Sequence, residues 1–177
     1  MVAPVLIFAV GNESRGDDAL APMLLRRLDA WLQQEEHSAD FELIEDFQLQ
    51  VEHAMDMVGR MLVLFVDAGM DTPEPYVFYR AQPGSSATPF SHALTPEAVL
   101  AVYPQIYKKD PPPAFILCMR GEKFELGSPL SPAAEGCLDS AMDFMKQLLQ
   151  EAEVSVWEMQ VRQQTVEDVE KQEACAS

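Results

Sequence analysis

The chain has 177 residues, 29 acidic against 12 basic, and a formal net charge of −17. Such a surplus of carboxylates opposes binding to a nucleic-acid backbone or an anionic membrane, while 48% hydrophobic residues suffice for one buried core. No apolar run reaches the roughly 18 residues of a membrane span, the apolar start lacks the basic leader of a signal peptide, and Cys118, Cys137 and Cys175 form no CxxC pair. A cytoplasmic protein with reduced thiols is expected, with neither nucleic acid nor membrane as partner.

The first strand is predicted over residues 4–10, continuously apolar as a central strand covered on both faces should be. It ends in Gly11-Asn12, and a polar turn with Gly16 leads to Asp17-Asp18. A helix follows to about residue 34, with Leu20, Leu24, Leu28, Trp31 and Leu32 on one stripe. Gly16 or Asp17 can cap it, Asp18 complements its dipole, and Pro22 must lie near its first turn. Residues 41–47 mix apolar and acidic positions, as a strand nearer an edge does. Residues 50–58 read as a short helix with Val51, Ala54, Met55 and Val58 inward.

Residues 61–66 form a second fully apolar strand that stops at Asp67. A strand at 76–81 feeds a turn-rich loop that carries His92. Thr95 caps a third helix, with Pro96 at its first position, running to about residue 107. Residues 114–119 are the fifth strand, and Cys118 in it reads as a small core residue. Ser131, followed by Pro132, caps the last long helix, to about residue 151. Residues 1–151 are thus expected to form a single domain. Residues 152–177 form an acidic tail, docked in part around Trp157 as strand or helix and frayed over its last dozen residues. His37 and His53 read as surface residues.

Alternation of strands and helices implies an α/β fold. It is expected to have three layers: a mostly parallel, twisted five-stranded sheet with helices on both faces. In such folds sites lie at the carboxyl edge of the sheet. Asp17-Asp18 after the first strand, Asp67 after the third and His92 after the fourth are therefore expected to gather there. Carboxylates with an imidazole suit zinc, nickel or ferrous iron with open positions for a substrate, or general acid–base work. The bland alternatives are a helix cap for Asp17 and Asp18, a turn former for Asp67 and a solvated loop histidine for His92. Gly11 and Gly16 do not make GxGxxG, and acids at the helix start would repel phosphate.

Gly11-Asn12 followed after four residues by Asp17-Asp18, the strand end Met61-Leu-Val-Leu-Phe-Val-Asp67-Ala, and Ser91-His92-Ala-Leu resemble, in that order, the signature segments of the nickel-iron hydrogenase maturation proteases. The pattern of elements agrees over roughly residues 4–150. The resemblance implies a five-stranded sheet between helices. It also implies an endopeptidase that removes the C-terminal extension of the hydrogenase large-subunit precursor after nickel insertion. It assigns Asp18, Asp67 and His92 to the substrate's nickel, with Asp17 as an auxiliary that orients Asp18 or acts as a base. The protease then needs no metal of its own. Nickel, or a water beside it, would polarise the scissile carbonyl. Asp46-Phe47-Gln48-Leu49-Gln50 stands where relatives often carry a glycine pair, and it leans toward the subgroup serving soluble, cofactor-linked hydrogenases. Two other readings are open: a metal-checking chaperone on the same scaffold, and a generic small-molecule-binding α/β domain.

Overall fold

A computed structural model describes residues 1–84 and 94–176. Five strands, β1 (Val5–Val10), β2 (Phe41–Asp46), β3 (Leu62–Gly69), β4 (Tyr76–Arg80) and β5 (Ala114–Arg120), form one sheet in the order β2-β1-β3-β5-β4. Pairing is parallel from β2 through β5 and antiparallel between β5 and β4. The α-helices of the described residues are α1 (Leu20–Gln34), α2 (Pro96–Tyr107), α3 (Pro132–Gln150) and α4 (Val154–Ala176). The three-layer α/β expectation holds, with a mostly parallel five-stranded sheet.

Because successive side chains of a strand point to opposite faces, each central strand serves two cores. Ile7, Leu64, Val66, Phe115 and Leu117 pack with α1, α3 and the start of α4. Leu6, Phe8, Val63, Phe65 and Ile116 pack with α2 and a 3-10 helix at Val51–Met57. That parity sends Asp67 and Cys118 to the α2 face, one register step beyond Val66 and Leu117. The helix starts follow the sequence: Thr95 and Ser131 each accept a hydrogen bond from the amide three residues on, with proline next in line.

Three expectations change. The strand at 76–81 does not deliver its loop to the carboxyl edge. β3 ends at Gly69 and β4 starts at Tyr76, a connection too short for the dozen or more residues of a parallel crossover. β4 therefore runs back and ends at the amino edge, and the chain returns by Leu94, which bridges Leu49 at the carboxyl side of the sheet. The helix at 50–58 is a 3-10 helix that buries Ala54 and Met57 and leaves Val51 and Met55 exposed. Side chains three apart eclipse in that geometry, so the buried stripe differs from an α-helical one. His53 is not a free surface residue. Its Nδ1 accepts from the Gln50 amide at 2.9 Å, its Nε2 lies 3.2 Å from Asp46, and its ring packs edge-on to Phe8.

From Val154 to Ala176 the chain is helix. Trp157 is fully buried against Phe78 and Phe115, and its indole N–H donates to the Leu148 carbonyl. Farther along α4, the Gln164 side chain accepts the outward amide of Phe78, and Glu158 pairs with Arg80. α4 thereby covers the outer edge of β4. Among the described residues no helix is long and apolar enough to cross a membrane.

Candidate functional site

The turn after β1 is shaped by close backbone approach. A Cβ on Gly11 would lie 2.1 Å from the Asp18 carbonyl oxygen. Gly16 sits at φ +55°, and a Cβ there would lie 2.3 Å from the Lys123 carbonyl. Both contacts require glycine. A 3-10 turn, Gly16–Ala19, then leads into α1 with no side-chain cap on either element. The two adjacent aspartates leave this turn on opposite missions.

Asp17 is not a helix cap. Its side chain is fully buried and accepts four hydrogen bonds. They come from the amides of Glu122 (2.7 Å), Lys123 (3.0 Å) and Ser131 (2.7 Å) and from the Ser131 hydroxyl (2.7 Å). Its own amide donates to the Lys123 carbonyl. Burial pushes its pKa up, but the donors from Ser131, Glu122 and Lys123 outweigh it, and the net shift is downward. Three of these bonds fall on one oxygen and one on the other. Asp17 ties the β1 turn to the segment between β5 and α3.

Asp18 and Asp67 do meet. Both line one cavity of about 470 Å³ on the α2 face of the sheet. It opens between β1 and β3, where the strand order reverses, as expected for a site in an open α/β sheet. One oxygen of Asp18 accepts the Asn12 amide at 2.8 Å. Burial raises the Asp18 pKa against the opposing effects of that bond and the Arg15 charge. Asp67 accepts the Ala68 amide at 2.8 Å. Burial, aided by the negative charge of Asp18, pushes it up to about 7 despite that bond. Two carboxylates, each with one hydrogen bond from the described residues, share a partly enclosed space. That arrangement favours a proton or a cation between them.

His92 lies outside the described residues, so its expected place beside the aspartates is neither met nor refuted. Leu94, two residues on, lines the cavity. Among the described residues no three metal-ligating side chains form a group.

Sequence reasoning missed three cavity residues. Cys118 is half-buried on the wall beside Asp67, its register partner, with its sulfur 3.2 Å from the Thr72 hydroxyl. Burial raises its thiol pKa. Aligning the ends of the two apolar strands would have placed Cys118 level with Asp67. Phe124, on the segment Asp17 holds, forms another wall, and its carbonyl accepts from Arg15 Nε. Tyr79 of β4 was invisible because that strand was given the wrong direction.

No protein-family model matches the chain. No curated protein sequence matches it. Solved structures do. A NiFe hydrogenase maturation protease HycI from Thermococcus kodakarensis KOD1 superposes with a TM-score of 0.62 at 20% identity, over 84% of this chain and 94% of that one. The hydrogenase maturating endopeptidase HybD from E. coli gives 0.62 at 19%, over 86% and 94%. A hydrogenase 2 maturation peptidase from Thaumarchaeota archaeon SCGC_AB-539-E09 gives 0.57 at 18%, over 82% and 97%. The similarity spans nearly the whole of each of those proteins, and the chain has the α/β fold of the hydrogenase maturation proteases.

Proposed function

We propose that the protein is an endopeptidase that removes the C-terminal extension of a nickel-loaded hydrogenase large-subunit precursor in the cytoplasm. The observation that carries this reading is the pairing of Asp18 and Asp67. They arrive from two strand ends at one cavity, each with a single hydrogen bond from the described residues, while the neighbouring Asp17 is buried and held by four donors elsewhere. The shared fold with maturation proteases supports the same reading.

In this reading the nickel is the substrate's cargo. Asp18 and Asp67 offer it oxygen ligands, and His92 completes the set. At neutral pH Asp67 holds a proton for part of the time, since its pKa is about 7. Cation binding displaces that proton and fixes both carboxylates in their charged forms. The metal, or a water beside it, then polarises the scissile carbonyl. A precursor without nickel leaves two carboxylates facing each other, and the site does not assemble. Cleavage is thereby restricted to the metallated precursor.

The test is incubation of the pure protein with precursor prepared with and without nickel, read by intact-protein mass spectrometry. The expected result is loss of the extension from the nickel-loaded form alone. Complex formation with an intact precursor would instead indicate a metal-checking chaperone.

A further inference from the structure

We infer that the outward stripe of α4, made of Met159, Arg162, Val166, Val169, Glu173 and Ala176, is a docking surface for a second copy of this chain laid antiparallel to the first. The inference is independent of the peptidase reading.

The helix has two working faces. One packs on the domain: Trp157 is fully buried, Val161 lies against the same core, and Gln164 holds the Phe78 amide. The other carries Met159, Val166 and Val169, which are 52%, 57% and 49% exposed. These side chains are not scattered. With Arg162, Glu173 and Ala176 they recur at alternating steps of three and four, the spacing of a coiled-coil seam. A shallow hollow bordered by Arg162, Gln163, Val166 and Glu167 leaves room on the seam for a side chain from outside.

The order of residues along the seam decides what fits it. Val166 and Val169, Arg162 and Glu173, and Met159 and Ala176 stand in pairs at equal distances from the midpoint between Glu167 and Asp168. Two copies turned antiparallel about that midpoint set Val166 against the second copy's Val169, Met159 against its Ala176 and Arg162 against its Glu173. A two-fold interface makes every contact twice, so valine layers at the centre are flanked by an ion pair on each side. Among the described residues no ion pair engages Arg162 or Glu173. Asp168 and Lys171 turn to a hollow beside Tyr76. Parallel copies would set Arg162 on Arg162 and Glu173 on Glu173, and a uniformly basic partner would face Arg162 with a like charge.

The contact runs for about 26 Å at 1.5 Å per residue. That is small beside the interface of a permanent dimer, and a dissociation constant of roughly 10–100 µM is expected. The charge of −17 on each copy opposes association, but at about 0.15 M salt screening confines that repulsion to about 8 Å. Pairing through this seam leaves β4 covered, because α4 meets that strand with its other face.

Sedimentation velocity of the full chain, from about 5 to 300 µM at about 0.15 M salt, tests the seam. Wild type is expected to pass from monomer to dimer across that range. Val166→Glu should weaken association at least about tenfold, since it puts charge into the centre of the contact. Arg162→Glu and Glu173→Arg each set like charges opposite one another and should weaken it about fivefold. The exchange Arg162→Glu/Glu173→Arg keeps the net charge and should return association to within about twofold of wild type. Far-UV circular dichroism should stay that of wild type in all four variants, because each altered side chain is exposed. A chain that remains monomeric throughout overturns the pairing. A dimer indifferent to Val166→Glu, or an exchange variant no tighter than the single ones, overturns it equally.

Discussion

The two faces of the sheet end differently at its carboxyl edge, and adjacent residues show how. On the α1–α3 face Asp17 is sealed from solvent, with four donors satisfying its carboxylate. On the α2 face Asp18 and Asp67 border a cavity with one donor each among the described residues. The same functional group thus serves as a brace on one side and lines an open cavity on the other. What separates the roles is the count of donors. A buried carboxylate held by four donors acts as a structural tie, and one with a single donor among the described residues, beside a like charge, is poised to bind a proton or a cation.

Variants can break that contrast from either side. The largest effect is expected from Asp18→Ala or Asp67→Ala, which should cut precursor processing by about 10³-fold or more if the substrate's metal loses a ligand. Their far-UV circular dichroism should remain that of wild type, because neither side chain ties elements together. Retained processing in both would sink the ligand assignment.

Asp17→Ala should do the reverse and act first on stability. It strands three amides and a hydroxyl, a loss of about 3 kcal/mol that lowers Tm by about 9 °C in calorimetry. Activity should fall only as far as the Phe124 wall and the Asp18 turn loosen.

Titration sharpens the contrast further, because the two faces are linked to pH with opposite signs. The Asp67 pKa is raised from 3.8 to about 7. The native state therefore binds more protons than the unfolded state in that window, and stability falls as pH rises through it. Asp67→Asn should stabilise the protein by about 2 kcal/mol at pH 8 and hardly at all at pH 4, measured by urea denaturation. Asp17 is shifted downward. Its contribution is present above 3.8 and disappears as pH falls through the lowered value. Asp17→Ala should accordingly flatten the acid side of the stability profile.

Ser131→Ala should show the smallest effect, about 1.5 kcal/mol, since one hydroxyl both donates to Asp17 and caps α3. A cost equal to that of Asp17→Ala would mean that the serine, not the aspartate, anchors the segment.

Much of this arrangement was legible in the residues. The runs at Val5–Val10 and Leu62–Gly69 announced buried parallel strands by unbroken apolarity, and Thr95-Pro96 and Ser131-Pro132 marked their helix starts. The convergence of Asp18 and Asp67 followed from strand direction alone. What escaped depended on partners distant in sequence. Asp17 looks like a cap because its neighbours form a helix, whereas its donors lie more than 100 residues away. β4 was misdirected because a strand carries no mark of its direction; only the shortness of the link from Gly69 to Tyr76 gives it. His53 was betrayed by the Gln50-to-His53 spacing of a capping box, a pattern usually sought with serine and glutamate.

The dependence of β4 on α4 bears on how the protein behaves when shortened. Strand edges with free amides recruit other chains, and here the Phe78 amide is occupied by Gln164 while Trp157 fills the space over Phe115. Removing the chain from Ala152 onward would bare an edge and an aromatic hollow together. Self-association follows from such a surface more readily than loss of the fold. The acidic C-terminal helix is in this sense a built-in guard against strand pairing between copies.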